Sequence, residues 1–346
     1  MNSKLKQERN PSLDFLRGLC ILGVLFHHTC LYNGGGFLPY LIEQSSFLLE
    51  VPALFFVSGL TYQYINRNMI IGNLTKLSLV FTLTAFLIGL YTKSLSLGML
   101  LKPLFLSGLD VPGAFHVLGG SYWFVSVYVS TLIFSTIIIS RFRPLYPLII
   151  LLCLMIFVID FFKWIDLPEV VIHGWPVKRV TMHIIFFLFG FWAGEHLLIS
   201  RYKNIFVLLL SLTVITTLVI IYQRSSWAAT NLHKHKDAWD FVYMSASFIS
   251  VIVLLLLYRA QVKNIFVEHI GQYSIYYFVG QGLSSSYIAN IATHIHSNPY
   301  LKILALFAIN FVMMLFFSEI LRFIYEKIGW GYNKAMARLS KKADIT

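Results

Sequence analysis

The chain alternates between long apolar runs and short polar, basic connections. Apolar stretches of about 20 residues fall at 13–32, 47–66, 74–92, 121–140, 144–162, 180–199, 204–222, 239–258, 271–292 and 300–324. Each is long enough for a helix to cross a hydrocarbon layer of ~30 Å. The pattern predicts an all-α, polytopic membrane helix bundle of about ten transmembrane helices. A further apolar piece at 98–107 is too short to span and is expected to be re-entrant or interfacial. The opening run exceeds a signal peptide's apolar region and lacks a small-residue cleavage site, so it is expected to be a retained first span. The reading divides the chain into an N-terminal tail (1–12), a membrane domain (13–324) and a basic C-terminal tail (325–346). No internal repeat with broken helices, the mark of many secondary transporters, is evident.

Composition agrees with a membrane class. Hydrophobic residues make up 58% of the chain and charged residues 12%, at a mean hydropathy of +0.73. Soluble domains carry about 25% charged residues. The net charge of +12 invites a nucleic-acid reading, but its distribution speaks for membrane topology and against such a partner. With ten spans, 17 Lys and Arg residues fall on the side of the two termini and nine on the other. Because basic residues concentrate in cytoplasmic loops, both termini are expected in the cytoplasm. Cys20, Cys30 and Cys153 all lie in apolar segments. They lack the spacing of a disulfide framework or a metal centre, and Cys20 and Cys30 read as packing residues. His233-Lys-His235 and His294-Ile-His296 lack a third ligand and read as solvated loop histidines, so no metal is expected.

Within the first span, Arg17 and His28 stand eleven residues apart. Eleven helical steps of ~100° leave them roughly 20° apart in azimuth and roughly 16 Å apart along the axis. An arginine at mid-membrane costs about 2.5–3.5 kcal/mol on insertion scales, which makes ionisable residues inside a span functional candidates. A structural reading stays open beside this one, with Arg17 snorkelling to the headgroups and His28 satisfying a neighbouring helix. By the expected topology Arg17 lies near the cytoplasmic face and His28 toward the external face. A guanidinium fork suits phosphate oxygens, and a neutral imidazole suits general-base chemistry. A phosphate-bearing donor held at Arg17, with an extended acyl-pantetheine arm, would bring its thioester toward His28. His27 points ~100° away and reads as packing or as a reserve partner.

Other polar residues inside the spans extend the list. Glu50 falls about one turn into the second span, near the depth of His28, and is a candidate to orient that imidazole. A place at the headgroup boundary is its alternative. Ser58-Gly59 lies about 12 Å deeper and reads mainly as a close helix approach. Tyr273, Tyr277, Gln281 and Ser284 recur at helical intervals, so they form one polar stripe that must face other helices or a water-filled cavity. His183 and Glu195 are further intramembrane candidates without an assigned role.

Several of these segments resemble the acyltransferase-3 membrane proteins, which O-acylate extracytoplasmic sugars such as bacterial O-antigens and other polysaccharides. The resemblance rests on Asp14-Phe-Leu-Arg17-Gly18, on the Arg17–His28 spacing and on Phe55-Phe56-Val57-Ser58-Gly59. Tyr122-Trp123-Phe124 and Ile270-Gly271-Gln272-Tyr273-Ser274-Ile275-Tyr276 are similar to later family segments. The resemblance implies that Arg17 contacts the acyl donor, that His28 deprotonates the acceptor hydroxyl or otherwise takes part in transfer, and that Trp123 lines the core. Two departures stand out. Where the family often clusters arginines after the second span, only Arg67 and Lys76 are at hand to bind the phosphates of coenzyme A. Where the penultimate helix commonly carries a histidine, this chain has Gln281, so that histidine's acid–base role does not transfer.

The sequence therefore points to an O-acyltransferase of a bacterial inner membrane. It is expected to move an acyl group, acetyl by analogy, from cytoplasmic acyl-CoA to a hydroxyl of an extracytoplasmic or lipid-linked carbohydrate. Acyl-CoA is a co-substrate and no resident cofactor is expected. The catalytic candidates are His28 and Glu50; the donor-binding candidates are Arg17, Arg67 and Lys76. Trp123, Ser58, Tyr273, Tyr277 and Gln281 are expected to line the core or the substrate path. Direct transfer and an acyl-histidine relay both fit this reading. The alternative is a polytopic transporter or flippase of an acyl donor or saccharide intermediate, with Arg17 and His28 on its substrate or proton path.

Overall fold

The computed structural model describes residues 10–32, 40–48, 50–64, 67–162, 171–172, 175–196, 241–295 and 297–343. Over them the chain is almost wholly helical. Its first half forms α1 (Pro11–Leu31), α2 (Tyr40–Ser46), α3 (Val51–Tyr62), α4 (Arg67–Thr92), α5 (Leu97–Leu104), α6 (His116–Ser121), α7 (Trp123–Arg141) and α8 (Tyr146–Phe162). A two-residue antiparallel pair, Val171–Ile172 with Trp175–Pro176, precedes α9 (Val177–His196). There follow α10 (Phe241–Arg259), α11 (Ile265–Gln272), α12 (Ser274–Ile291) and α13 (Pro299–Ala343).

Among the described residues seven stretches are long and apolar enough to cross a membrane: Pro11–Leu31, Ile42–Tyr62, Asn68–Thr92, Gly113–Arg141, Val177–His196, Val242–Arg259 and Pro299–Gly329. A shorter apolar helix covers Arg143–Phe157. Nine of the ten runs read from the sequence fall on described helices; the tenth, 204–222, lies outside the described residues. The segment expected at 98–107 is α5. It folds back along α4, where the Ser78 hydroxyl donates to the Leu104 carbonyl (2.6 Å) and Leu95 packs on Gly89. Much of the tail read at 325–346 continues α13 as helix.

Local sequence explains where helices begin. Asn10 caps α1 by accepting from the Ser12 amide, and Pro11 occupies a first-turn position where a missing N–H costs nothing. Ser96 caps α5. Asn264 caps α11 through the amides of Phe266 and Val267, and Glu268 reaches back to the Asn264 amide (3.1 Å).

Two glycine seams set how closely the helices approach. A Cβ on Gly18 would come within 2.0 Å of the Val267 carbonyl oxygen, and one on Gly271 within 1.7 Å of the Asp14 carbonyl oxygen, so α1 and α11 meet backbone to backbone. Gly59 and Gly190 do the same for α3 and α9, at 1.9 Å from the Phe187 oxygen and 2.0 Å from the Phe56 oxygen. Between helices of like apolarity, association depends on such close van der Waals approach rather than on a hydrophobic drive. The first seam anchors the Arg17 end of α1. Near its other end, the Asn310 amide of α13 donates to Thr29 of α1 (2.8 Å) and Ser285 of α12 (3.1 Å). Three helices are thereby tied together one residue past His28.

Candidate active site

Most of α1 is buried, His27 included, but Arg17 and His28 are only partly so. They sit on the face that helical geometry assigns them, roughly 16 Å apart along the axis. The Arg17 side chain is 27% exposed, and one Nη lies 3.1 Å from the buried Asp14 carboxylate one turn earlier. That ion pair offsets the cost of holding a guanidinium in an apolar helix while committing one nitrogen of a five-donor fork. Tyr128 of α7 lies within electrostatic reach of Arg17 and beside the Ser58 hydroxyl. The Ser58 hydroxyl itself donates to the Leu54 carbonyl of its own helix (2.8 Å).

At the other end, two adjacent histidines have different surroundings. The His28 Nδ1 lies 2.7 Å from Oε1 of Gln281, and its ring meets Tyr32 edge-on at 5.6 Å. Gln281 is fully buried in α12. His27 is 1% exposed, with Nε2 2.7 Å from Oε1 of Glu50 and Nδ1 3.0 Å from the Ser46 hydroxyl. The Tyr243 hydroxyl of α10 donates to the second Glu50 oxygen at 2.7 Å. The Ser46 hydroxyl donates its single proton to the Glu43 carbonyl (2.7 Å), so it accepts from His27 Nδ1. With Nδ1 donating to Ser46, Nε2 shares the other hydrogen bond with the Glu50 carboxyl; the two form an ion pair when that proton rests on the ring, sealed from solvent and braced by Tyr243.

The carboxylate that sequence depth offered to His28 thus sits against His27, and His28 faces an amide. Depth along a helix is readable from spacing; azimuth between two helices is not. Glu50 occupies the N-cap position of α3 without capping it, which leaves both oxygens to His27 and Tyr243.

The remaining candidates divide between the two ends. The Lys76 ammonium lies 4.5 Å from the centre of the Tyr276 ring. The Tyr273 face is covered by the Arg322 guanidinium (4.4 Å), and the Tyr277 hydroxyl donates to Glu319 (2.8 Å). Glu319 also takes His269 (2.9 Å) and Arg322 (2.6 Å). The polar stripe of α12 therefore splits: its two tyrosines join a network with α11 and α13, and Gln281 alone reaches His28. Trp123 begins α7 beneath the Arg179 guanidinium (4.8 Å), with the His183 ring 6.2 Å away. Glu195 pairs with Arg143 and accepts from Tyr146. The side chain of Arg67, and the loop residues His233, His235 and His296, lie outside the described residues. Among the described residues no group of three His, Cys, Asp or Glu is placed to hold a metal ion. Ser46, Tyr243 and Asn310 escape a sequence reading because each is one polar residue whose partner comes from a distant segment.

Span-length apolar helices with ionisable groups gathered between them define a multi-pass membrane protein with a polar site inside its bundle. The chain belongs to the acyltransferase-3 family: the family's model, an acyltransferase domain, matches residues 10–322. It is accordingly a membrane acyltransferase, and the matched region contains Arg17, His28, Glu50 and Gln281. No curated protein and no solved structure matches the chain.

Proposed function

We propose that the protein transfers an acetyl group from cytoplasmic acyl-CoA to a hydroxyl of an extracytoplasmic or lipid-linked carbohydrate, in the inner membrane of a bacterium and with both termini in the cytoplasm. The observation that carries this reading is the placement of Arg17 and His28. They share one face of α1, are partly open where their neighbours are sealed, and lie roughly 16 Å apart. A guanidinium that meets the donor's phosphates at one level leaves an extended pantetheine arm to carry the thioester toward the imidazole. His28 then removes the proton of the acceptor hydroxyl as its oxygen attacks the thioester carbonyl. The C–S bond breaks, and the departing thiolate takes the proton back from the imidazolium. Arg67, at the start of α4, and Lys76, nine residues further along it, are assigned to the donor's remaining phosphates. Glu50 supports the site through His27.

Mass spectrometry of surface glycans from cells with and without the intact protein tests the reading. One acetyl unit present only with the protein is the expected result. Unchanged glycans, together with movement of acyl-CoA or saccharide across vesicles that contain the purified protein, would replace it by the transporter reading.

A further inference from the structure

Gln281 stands where the family resemblance leads one to expect a histidine, and its side-chain oxygen rests 2.7 Å from Nδ1 of His28. We infer that Gln281 is a positioning residue: it holds the proton of His28 on Nδ1 and so leaves the lone pair on Nε2 as the base. This inference rests on the preceding assignment of His28 and adds how its protonation state is set. An amide oxygen has no proton to give, so at this distance the imidazole nitrogen is the donor. A neutral imidazole that donates from Nδ1 is necessarily an acceptor at Nε2. The contact cannot slide away easily. Gln281 is fully buried, and Gly282 beside it lets Leu118 of α6 close against α12.

The amide matters also for what it lacks. A carboxylate at this place would favour the charged imidazolium and weaken the base at neutral pH. Of the carboxylates at this end of the bundle among the described residues, Glu50 has one oxygen on His27 and the other on Tyr243, and Glu43 of α2 lies toward Cys30. The titratable groups around His28 among the described residues include His27, Cys30 and Tyr32 on its own helix, Glu43 of α2, Glu50 ahead of α3, Tyr243 of α10 behind Glu50, and His116 beyond Tyr32. The Glu50 carboxyl is thus allotted to His27 and a plain dipole to His28. The nitrogen of the Gln281 amide is buried without a hydrogen-bond partner among the described residues.

The test compares the pH dependence of acyl transfer by the purified full-length protein with Gln281→Glu and Gln281→Leu. Glu keeps the shape and supplies a charge. The acidic limb of the rate profile is expected to move up by about one pH unit or more, with activity recovered at high pH. Leu removes the acceptor, and turnover is expected to fall by at least about tenfold with the donor KM unchanged. A Gln281→Glu profile that coincides with wild type overturns the inference, as does loss of Gln281→Glu activity at every pH in a protein that still inserts. If His28→Ala remains active, the base assignment itself fails; if His28→Ala is dead and the Gln281→Glu profile is unmoved, only the positioning role fails.

Discussion

His27 and His28 are neighbours in sequence and opposites in setting. His27 is sealed between a serine hydroxyl and a carboxyl group; His28 is partly open, has an amide oxygen on one nitrogen and lies on the Arg17 face. The difference follows from the ~100° between successive helical residues. One direction points to α3 and α10, which bring Glu50 and Tyr243; the other points to α12, which brings Gln281. A buried charge pair is a weak source of net stability, yet it is expensive to break from one side. A neutral imidazole with an accepting nitrogen can take a proton near neutral pH. On the proposed reading, the more conspicuous ionic pair serves architecture and the less conspicuous amide contact serves chemistry.

The largest expected effect on this contrast comes from Glu50→Ala. It strands the His27 charge in a sealed pocket and should destabilise the folded protein by about 3–5 kcal/mol. Thermal unfolding in detergent measures this, and a change under about 1 kcal/mol would show that His27 is uncharged there. Protein that survives should still turn over, with the acidic limb of its pH profile moved down if at all, because a His27 charge left without Glu50 disfavours a second charge on the His28 ring 5.8 Å away. A smaller effect is expected at the opposite end of the same face. Arg17→Lys keeps the charge but loses the planar fork. The KM for acyl-CoA should rise by about tenfold, roughly the 1.4 kcal/mol of one good charge-assisted hydrogen bond, with turnover at saturation nearly unchanged. Equal loss in turnover would place Arg17 at the reacting atoms instead of at the donor's phosphates.

How much of this was legible in the sequence follows from which interactions are local. Helix positions were, because a run of apolar residues and a cap such as Asn10-Pro11 act within a few residues. So was the shared face of Arg17 and His28, which needs only the helical repeat. The reading of Ser58-Gly59 as a close approach has its counterpart in the α3–α9 seam. Partners were not legible. Glu50 was placed at the right depth, but whether it met His27 or His28 depended on the rotation of α3 against α1. The separation of 253 positions from His28 to Gln281 hides their contact from any periodicity, and Tyr243 is one of several polar residues in its run, beside Ser245, Ser247 and Ser250. The stripe Tyr273–Tyr277–Gln281 looked uniform along α12, yet α13 supplies Glu319 to one part and α1 supplies His28 to the other.

The most direct test of the central claim sets His28→Ala against His27→Ala in one acyl-transfer assay, with both variants checked for membrane insertion. The account predicts that His28→Ala loses at least about a hundredfold in turnover, while inserted His27→Ala, though less stable, still turns over. An active His28→Ala, or a His27→Ala that is inserted and equally dead, would contradict it.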